Sequence, residues 1–401
     1  MRLLQSVLPT LRQTKKPQQK FVAHLLRLLL MLPGHATCRN LSRYSAYHER
    51  TFARWYARDF DFVSLNKAVI TQVIPPAHEQ ALVIDASFVP KSGKKTYGLD
   101  RFWNGSHSRT EKGLEISTLA WLDMTENCAY CLSVEQTPPT DKTTDSEATR
   151  IDVYLDQLAR VVSAQHLRHL RYVVTDGYSS KQKCTRGVRT LGLEQIGKLR
   201  IDANLRYLYQ GPKRPGPGRP KTYDGKVNWD DLSRLEKVET DDDDIVLYHQ
   251  VLHHVQYQCN LCVVLVVDTK HNRRAVLFST DVDLDALTIY RYDKARFQIE
   301  FLFRDAKQFT GLTDCQARSQ AKLNFHFNAS LSAVTLAKLE ARQQNGEVVS
   351  AFSMASLKRR AFNQHLIERV SQYLAQGHSL EKSSPAYEEL CNYGTITDLA
   401  A

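Results

Sequence analysis

The sequence predicts an α/β layer fold set between helical segments, and three observations carry that expectation. Apolar residues recur at helical spacing through the first 75 positions. From Ala81 the period changes to short apolar runs broken by turn residues, with an amphipathic helix crossing between two of them. After Ala286 the helical period returns and holds almost to the end of the chain.

Taken in order, Gln18 to Leu32 repeats Phe21, Val22, Leu25, Leu26 and Leu29 on one side and stops at Pro33-Gly34. Asn40 to Tyr56 reads as a short helix, a turn and a second helix. On the second helix Arg50, Arg54 and Arg58 share a face, and Phe52, Trp55 and Tyr56 are left for packing. That is the pattern of a helix-turn-helix able to enter a major groove, or of a plain helical bundle with a basic face. Pro75-Pro76 closes this part. Strands are expected at Ala81–Pro90, Leu114–Leu122, Tyr130–Glu135 and Arg171–Asp176, with helices at Arg150–Ala164 and from about Ser180 to Leu191. Further strands are expected at Ile245–Tyr257, Asn260–Thr269 and Ala275–Thr280. Three long helices then follow, at Ala286–Gln308, Ala317–Arg342 and Ala351–Gln376, before a polar and loosely ordered tail after Ser379.

Composition limits the function. The chain has 401 residues with 42% hydrophobic and 24% charged, as expected for a globular protein with a real core. No apolar run reaches the roughly 18–20 residues that span a bilayer, so neither a membrane nor a secreted protein is expected. The net charge is +11, and residues 1–76 hold twelve Lys and Arg against three acids, a balance that favours a polyanion. Gly211 to Lys221 interleaves four prolines with Lys213, Arg214, Arg219 and Lys221. No regular structure forms in such a stretch, and its charges suit contact with backbone phosphate. The pairs Cys128/Cys131 and Cys259/Cys262 fall in strand-like segments, where positions three apart point to opposite faces. Buried thiols of a reducing cytoplasm explain them better than zinc.

Three acids stand where a carboxylate is costly or flanked by cations. Asp85 interrupts a buried strand, Asp176 ends another, and Glu300 lies on a helix in one polar stripe with Arg296, Arg304 and Lys307. Each could be a cap or a salt-bridge partner, or together they could hold metal.

The segments Val83–Ser87, Val174–Tyr178 and Arg296–Lys307 resemble the three blocks of DDE transposases of bacterial insertion sequences. The closest likeness is to the branch with a Tyr-x2-Arg-x3-Glu-x6-Lys signature on the glutamate helix. Arg296, Glu300 and Lys307 match its spacing. The tyrosine position falls on Asp293, with Tyr292 one residue early as its stand-in.

The resemblance implies an RNase H-like nuclease core, a mixed sheet flanked by helices, with a β-rich insertion between the second Asp and the Glu and an all-α N-terminal domain. Residues 1–76 would bind DNA ends, and 77–204 and 281–345 would form the two parts of the core. Residues 205–280 would be the insertion with the basic loop, and 346–401 a helical segment and tail. It further implies Asp85, Asp176 and Glu300 as ligands of two Mg²⁺ ions (Mn²⁺ could substitute), and Arg296, Lys307 and Tyr292 around the cut phosphate. The partners implied are double-stranded DNA, both element ends and target, and a second copy of the chain in the synaptic complex. The setting implied is the bacterial cytoplasm, on the nucleoid. A nuclease of the same fold that cuts without joining, or a decayed DNA-binding protein, are the alternatives.

Overall fold

The structure is a computed structural model that describes residues 2–12, 14–139, 149–212, 220–345 and 352–395. The N-terminal part is helical: α1 (Arg2–Val7), α2 (Lys16–Met31), α3 (Cys38–Arg43), α4 (Glu49–Trp55) and α5 (Phe62–Val73). Asp61 caps α5 by accepting from the Ser64 N–H at 2.9 Å, which fixes the chain's entry into that helix. The apolar stripe expected on α2 is buried, with Phe21, Leu25 and Leu29 each no more than 2% exposed. These residues join one hydrophobic cluster that also takes in Leu82 and Val83, Val134, and Leu331 and Val334 from distant parts of the chain.

Next come β1 (Gln80–Pro90), β2 (Asp100–Asn104), β3 (Arg109–Asp123), β4 (Cys128–Gln136), α6 (Arg150–Ala164), β5 (Tyr172–Thr175), α7 (Gln182–Thr190) and β6 (Glu194–Leu199). Strands β3 and β1 pair antiparallel, while β1, β5 and β6 run parallel. Strand β4 pairs with the far side of β3. Parallel neighbours require crossover connections, which α6 and α7 supply.

Six more strands extend the sheet from β6: β7 (Leu205–Leu208), β8 (Tyr223–Lys226), β9 (Glu236–Glu239), β10 (Ile245–His254), β11 (Cys259–Asp268) and β12 (Arg273–Ser279). The order is β2-β3-β1-β5-β6-β12-β11-β10-β7-β8, with β4 on β3 and β9 on β10. The β10–β12 meander carries its own small apolar cluster around Leu252, Leu261, Leu265 and Phe278.

The last helices are α8 (Ala286–Arg296), α9 (Gln298–Phe309), α10 (Gln320–Asn345), α11 (Met354–Ala375) and α12 (Pro385–Cys391).

Several expectations are corrected. Ala286–Gln308 is two helices, not one. At Phe297 the backbone closes two three-residue turns, Phe297 N–H to Lys294 O and Glu300 N–H to Phe297 O, and Phe297 is left 46% exposed. Strand β2 and strands β6 to β9 were not expected. β6 is short and polar with Gly197 inside it, a residue that discourages a strand reading. The reason for the glycine is space: a Cβ there would meet the Phe278 ring and the Thr175 hydroxyl at 3.0 Å. The tail after Ser379 holds α12, and Tyr393 beyond it packs edge-on against Tyr44. The second basic helix, α4, ends at Trp55, so Arg58 lies past it and rests over the Trp55 ring.

Candidate active site

The pairing of β1 with β5 builds the site. Ile84 stands opposite Thr175 in a parallel ladder, so the next residues along, Asp85 and Asp176, emerge level on adjacent strands, roughly 4.8 Å apart from backbone to backbone. The same ladder continues to β6, where Val174 opposite Ile196 brings Lys198 to the level of Asp176. Asp176 leaves the strand to cap a short 3-10 turn, accepting from the Ser179 N–H at 3.1 Å. One Asp85 oxygen accepts from the Ala86 N–H at 2.8 Å, which leaves the other free to face α8 and α9.

The helix break at Phe297 puts Arg296 on the last turn of α8 and Glu300 in the first turn of α9. The Arg296 guanidinium reaches Asp85 Oδ2 at 3.4 Å and Glu300 Oε1 at 3.4 Å, long contacts that tie the two acids through one cation. Asp85 is raised to about 7, first by burial, then by the charge of Asp176; Arg296 pulls in the opposite direction. Asp85 and Glu300 thus share one guanidinium, while Asp176 adds its charge beside them.

Among the described residues no three His, Cys, Asp or Glu side chains stand close enough to hold a metal ion in this arrangement. The donor set nevertheless suits one. It is all carboxylate oxygen, it carries surplus negative charge, and the Glu300 side chain is 42% exposed.

Lys307 lies two turns further along α9. It is half-buried, and burial alone lowers its pKa, with no carboxylate contributing. Arg304, expected in the same stripe, instead pairs with Asp305 at 2.9 Å. Tyr292 is not brought to the acids. It is buried, packs edge-on against Tyr172 at the start of β5, and its hydroxyl is pushed up by burial and by Glu79, which precedes β1. Asp293, at the signature position, faces Arg296 and Lys198 instead, and burial raises its pKa. Lys198 is the residue that the sequence reading passes over, because β6 is too short and polar to be recognised.

Of the expected DNA contacts, Arg50 and Arg54 are exposed on α4, and Arg58 is exposed beyond it. Lys213, Arg214 and Arg219 lie outside the described residues. Lys221 is described, and it pairs with Asp224 at 2.5 Å beside the Tyr209 ring. No helix among the described residues is long and apolar enough to cross a membrane.

Parallel strands that present two aspartates side by side, with a glutamate helix packed across them, define a class of DDE-type nucleases. A family model described as DDE superfamily endonuclease matches residues 7–245, more than half of the chain, and the chain belongs to that family. The matched range includes Asp85 and Asp176 and ends before Glu300. No curated protein matches the chain. Membership in this family implies a DNA substrate and a divalent metal.

Proposed function

We infer that the protein is a DNA transposase: it binds the terminal inverted repeats of its mobile element, cuts there, and joins the 3′-hydroxyl ends to target DNA. The observation that carries the reading is the level pairing of Asp85 with Asp176 on β1 and β5, with Glu300 tied to Asp85 through Arg296.

In this reading β4-β3-β1-β5-β6 is an RNase H-like core, and β7 to β12 are a β-rich insertion that lengthens its sheet before the glutamate helix. Asp85, Asp176 and Glu300 would hold two Mg²⁺ or Mn²⁺ ions. Bound there, the metal supplies an activated water or 3′-hydroxyl and stabilises the leaving oxygen. The chain's own residues do the rest. Arg296 keeps Asp85 and Glu300 together in the absence of cations, and Lys307 offers a positive charge to phosphate further along α9. The exposed Arg50 and Arg54 of α4 would read element ends, and a second copy of the chain would bring the other end.

A joining assay tests this reading. The protein is incubated with Mg²⁺, a duplex ending in the element's inverted repeat and a supercoiled plasmid. Covalently joined products are expected. Cutting without joining would make the chain a nuclease of this fold and refute strand transfer.

A further inference from the structure

Strands β2 and β3 form a hairpin that projects beyond the pairing of β1 with β3, which ends at Pro90 opposite Gly113. Its outer face is unusual. Trp103 is 55% exposed, and among the described residues only Ile367, at 66%, is a more exposed large hydrophobic. Arg101 stands directly opposite Lys112, a like-charged cross-strand pair that weakens a hairpin in isolation. Just before β2, Lys94 and Lys95 are exposed as well. Among the described residues no carboxylate forms an ion pair with Lys94, Lys95, Arg101 or Lys112. The one carboxylate of the hairpin's second strand near the tip, Glu111, is on the other face, taken up by Asn104, His107 and Arg109.

Register puts this outer face on the side of the acids. Asp85 stands opposite Thr118, and Lys112 and Thr110 follow at even spacing along β3, so all lie on one face of the sheet. Arg101 and Trp103 stand opposite Lys112 and Thr110 and share that face. Phe102 points the other way and is buried beneath Arg150 of α6. Eight residues of β3 separate the level of Asp85 from that of Trp103, at most roughly 26 Å, or roughly eight base pairs of duplex.

Charges on an edge strand can simply prevent sheet-to-sheet aggregation. An exposed tryptophan on the same face works against that purpose. Cations interleaved with a flat aromatic fit a nucleic acid, through phosphate contact and stacking.

We propose that the β2–β3 hairpin is a DNA-binding wing that grips the duplex flanking the cut site, with Arg101 and Lys112 on phosphates and Trp103 packed against the DNA. This rests on the nuclease reading and adds a contact surface to it.

The test uses the full chain and a mixed-sequence duplex, comparing the parent with Trp103→Ala, Trp103→Phe and the double variant Arg101→Ala/Lys112→Ala. Trp103→Ala weakens binding several-fold with an unchanged salt slope, and Trp103→Phe recovers most of the loss. The double variant lowers the slope of log affinity against log salt by about 1.8. Trp103 fluorescence is quenched by the duplex in the parent. If the parent cuts DNA with Mn²⁺ while all three variants bind and cut as it does, the wing is refuted and the nuclease reading stands. If the parent neither binds nor cuts DNA, both are refuted.

Discussion

Replacing Lys307 with methionine separates the stability of the fold from the handling of phosphate. Lys307 follows Glu300 by seven residues on α9, which places it about 10 Å along the helix on nearly the same side. Its ammonium is half-buried, burial lowers its pKa, and no acid compensates. A methionine of similar length keeps the stem packed and removes a charge that is unfavourable in the free protein. The fold should gain about 1 kcal/mol, or a rise in Tm of about 1–2 °C in a chain of this length. Function should move in the opposite direction. Loss of one phosphate contact lowers the salt slope of DNA binding by about 0.9, and loss of a cation near the reacting phosphate costs about 100-fold in cleavage. Calorimetry, a salt titration and a cleavage time course on the same preparation provide the three readings. A destabilised variant, or one with unchanged slope and cleavage, would show that Lys307 has an internal partner and does not serve DNA.

Two other predictions concern residues away from the acids. His254 is 2% exposed, stacked on Tyr257 at 3.7 Å, and held down to about 4 chiefly by burial. The unfolded chain takes up this proton below about 6.5 and the folded chain only below about 4, so stability falls as pH drops through that window, by at most about 3 kcal/mol; in His254→Phe this part of the acid dependence should vanish from urea titrations. Arg50→Ala and Arg54→Ala should each lower the salt slope of binding to end DNA by about 0.9 with little change in Tm, and unchanged discrimination between end and random DNA would remove α4 from end recognition. Point variants are needed because deleting residues 1–76 would strip Phe21, Leu25 and Ile70 from the common core.

The elements that were legible in the sequence are those with a strong local signal. β1 and α6 announce themselves through apolar runs and a helical stripe, and α6 is observed at the bounds expected. The two aspartates were legible as a pair, since each interrupts or ends a buried strand, although a cap is an ordinary role for either alone and Asp176 does cap a turn. What was not legible depends on partners distant in sequence. β6 is held by β5 and β12 rather than by its own composition, and Lys198 was lost with it. The break at Phe297 leaves no mark in the pattern, because Arg296 and Glu300 keep a helix-like relation across it. Tyr292 stands one residue from the signature position, but on α8 it turns its hydroxyl toward Glu79 and leaves Asp293 facing Arg296.

The central claim is that Asp85, Asp176 and Glu300 act as one metal site, and metal-dependent cleavage by Asp85→Asn, Asp176→Asn and Glu300→Gln tests it most directly. Each variant keeps its shape and loses the charge that would neutralise the divalent ions. With Mg²⁺ or Mn²⁺, each single change should abolish cutting while DNA binding persists, and the triple change should be hardly worse than one, because groups acting as a unit are not additive. Intact cleavage by Glu300→Gln would contradict the claim and leave α9 a structural helix.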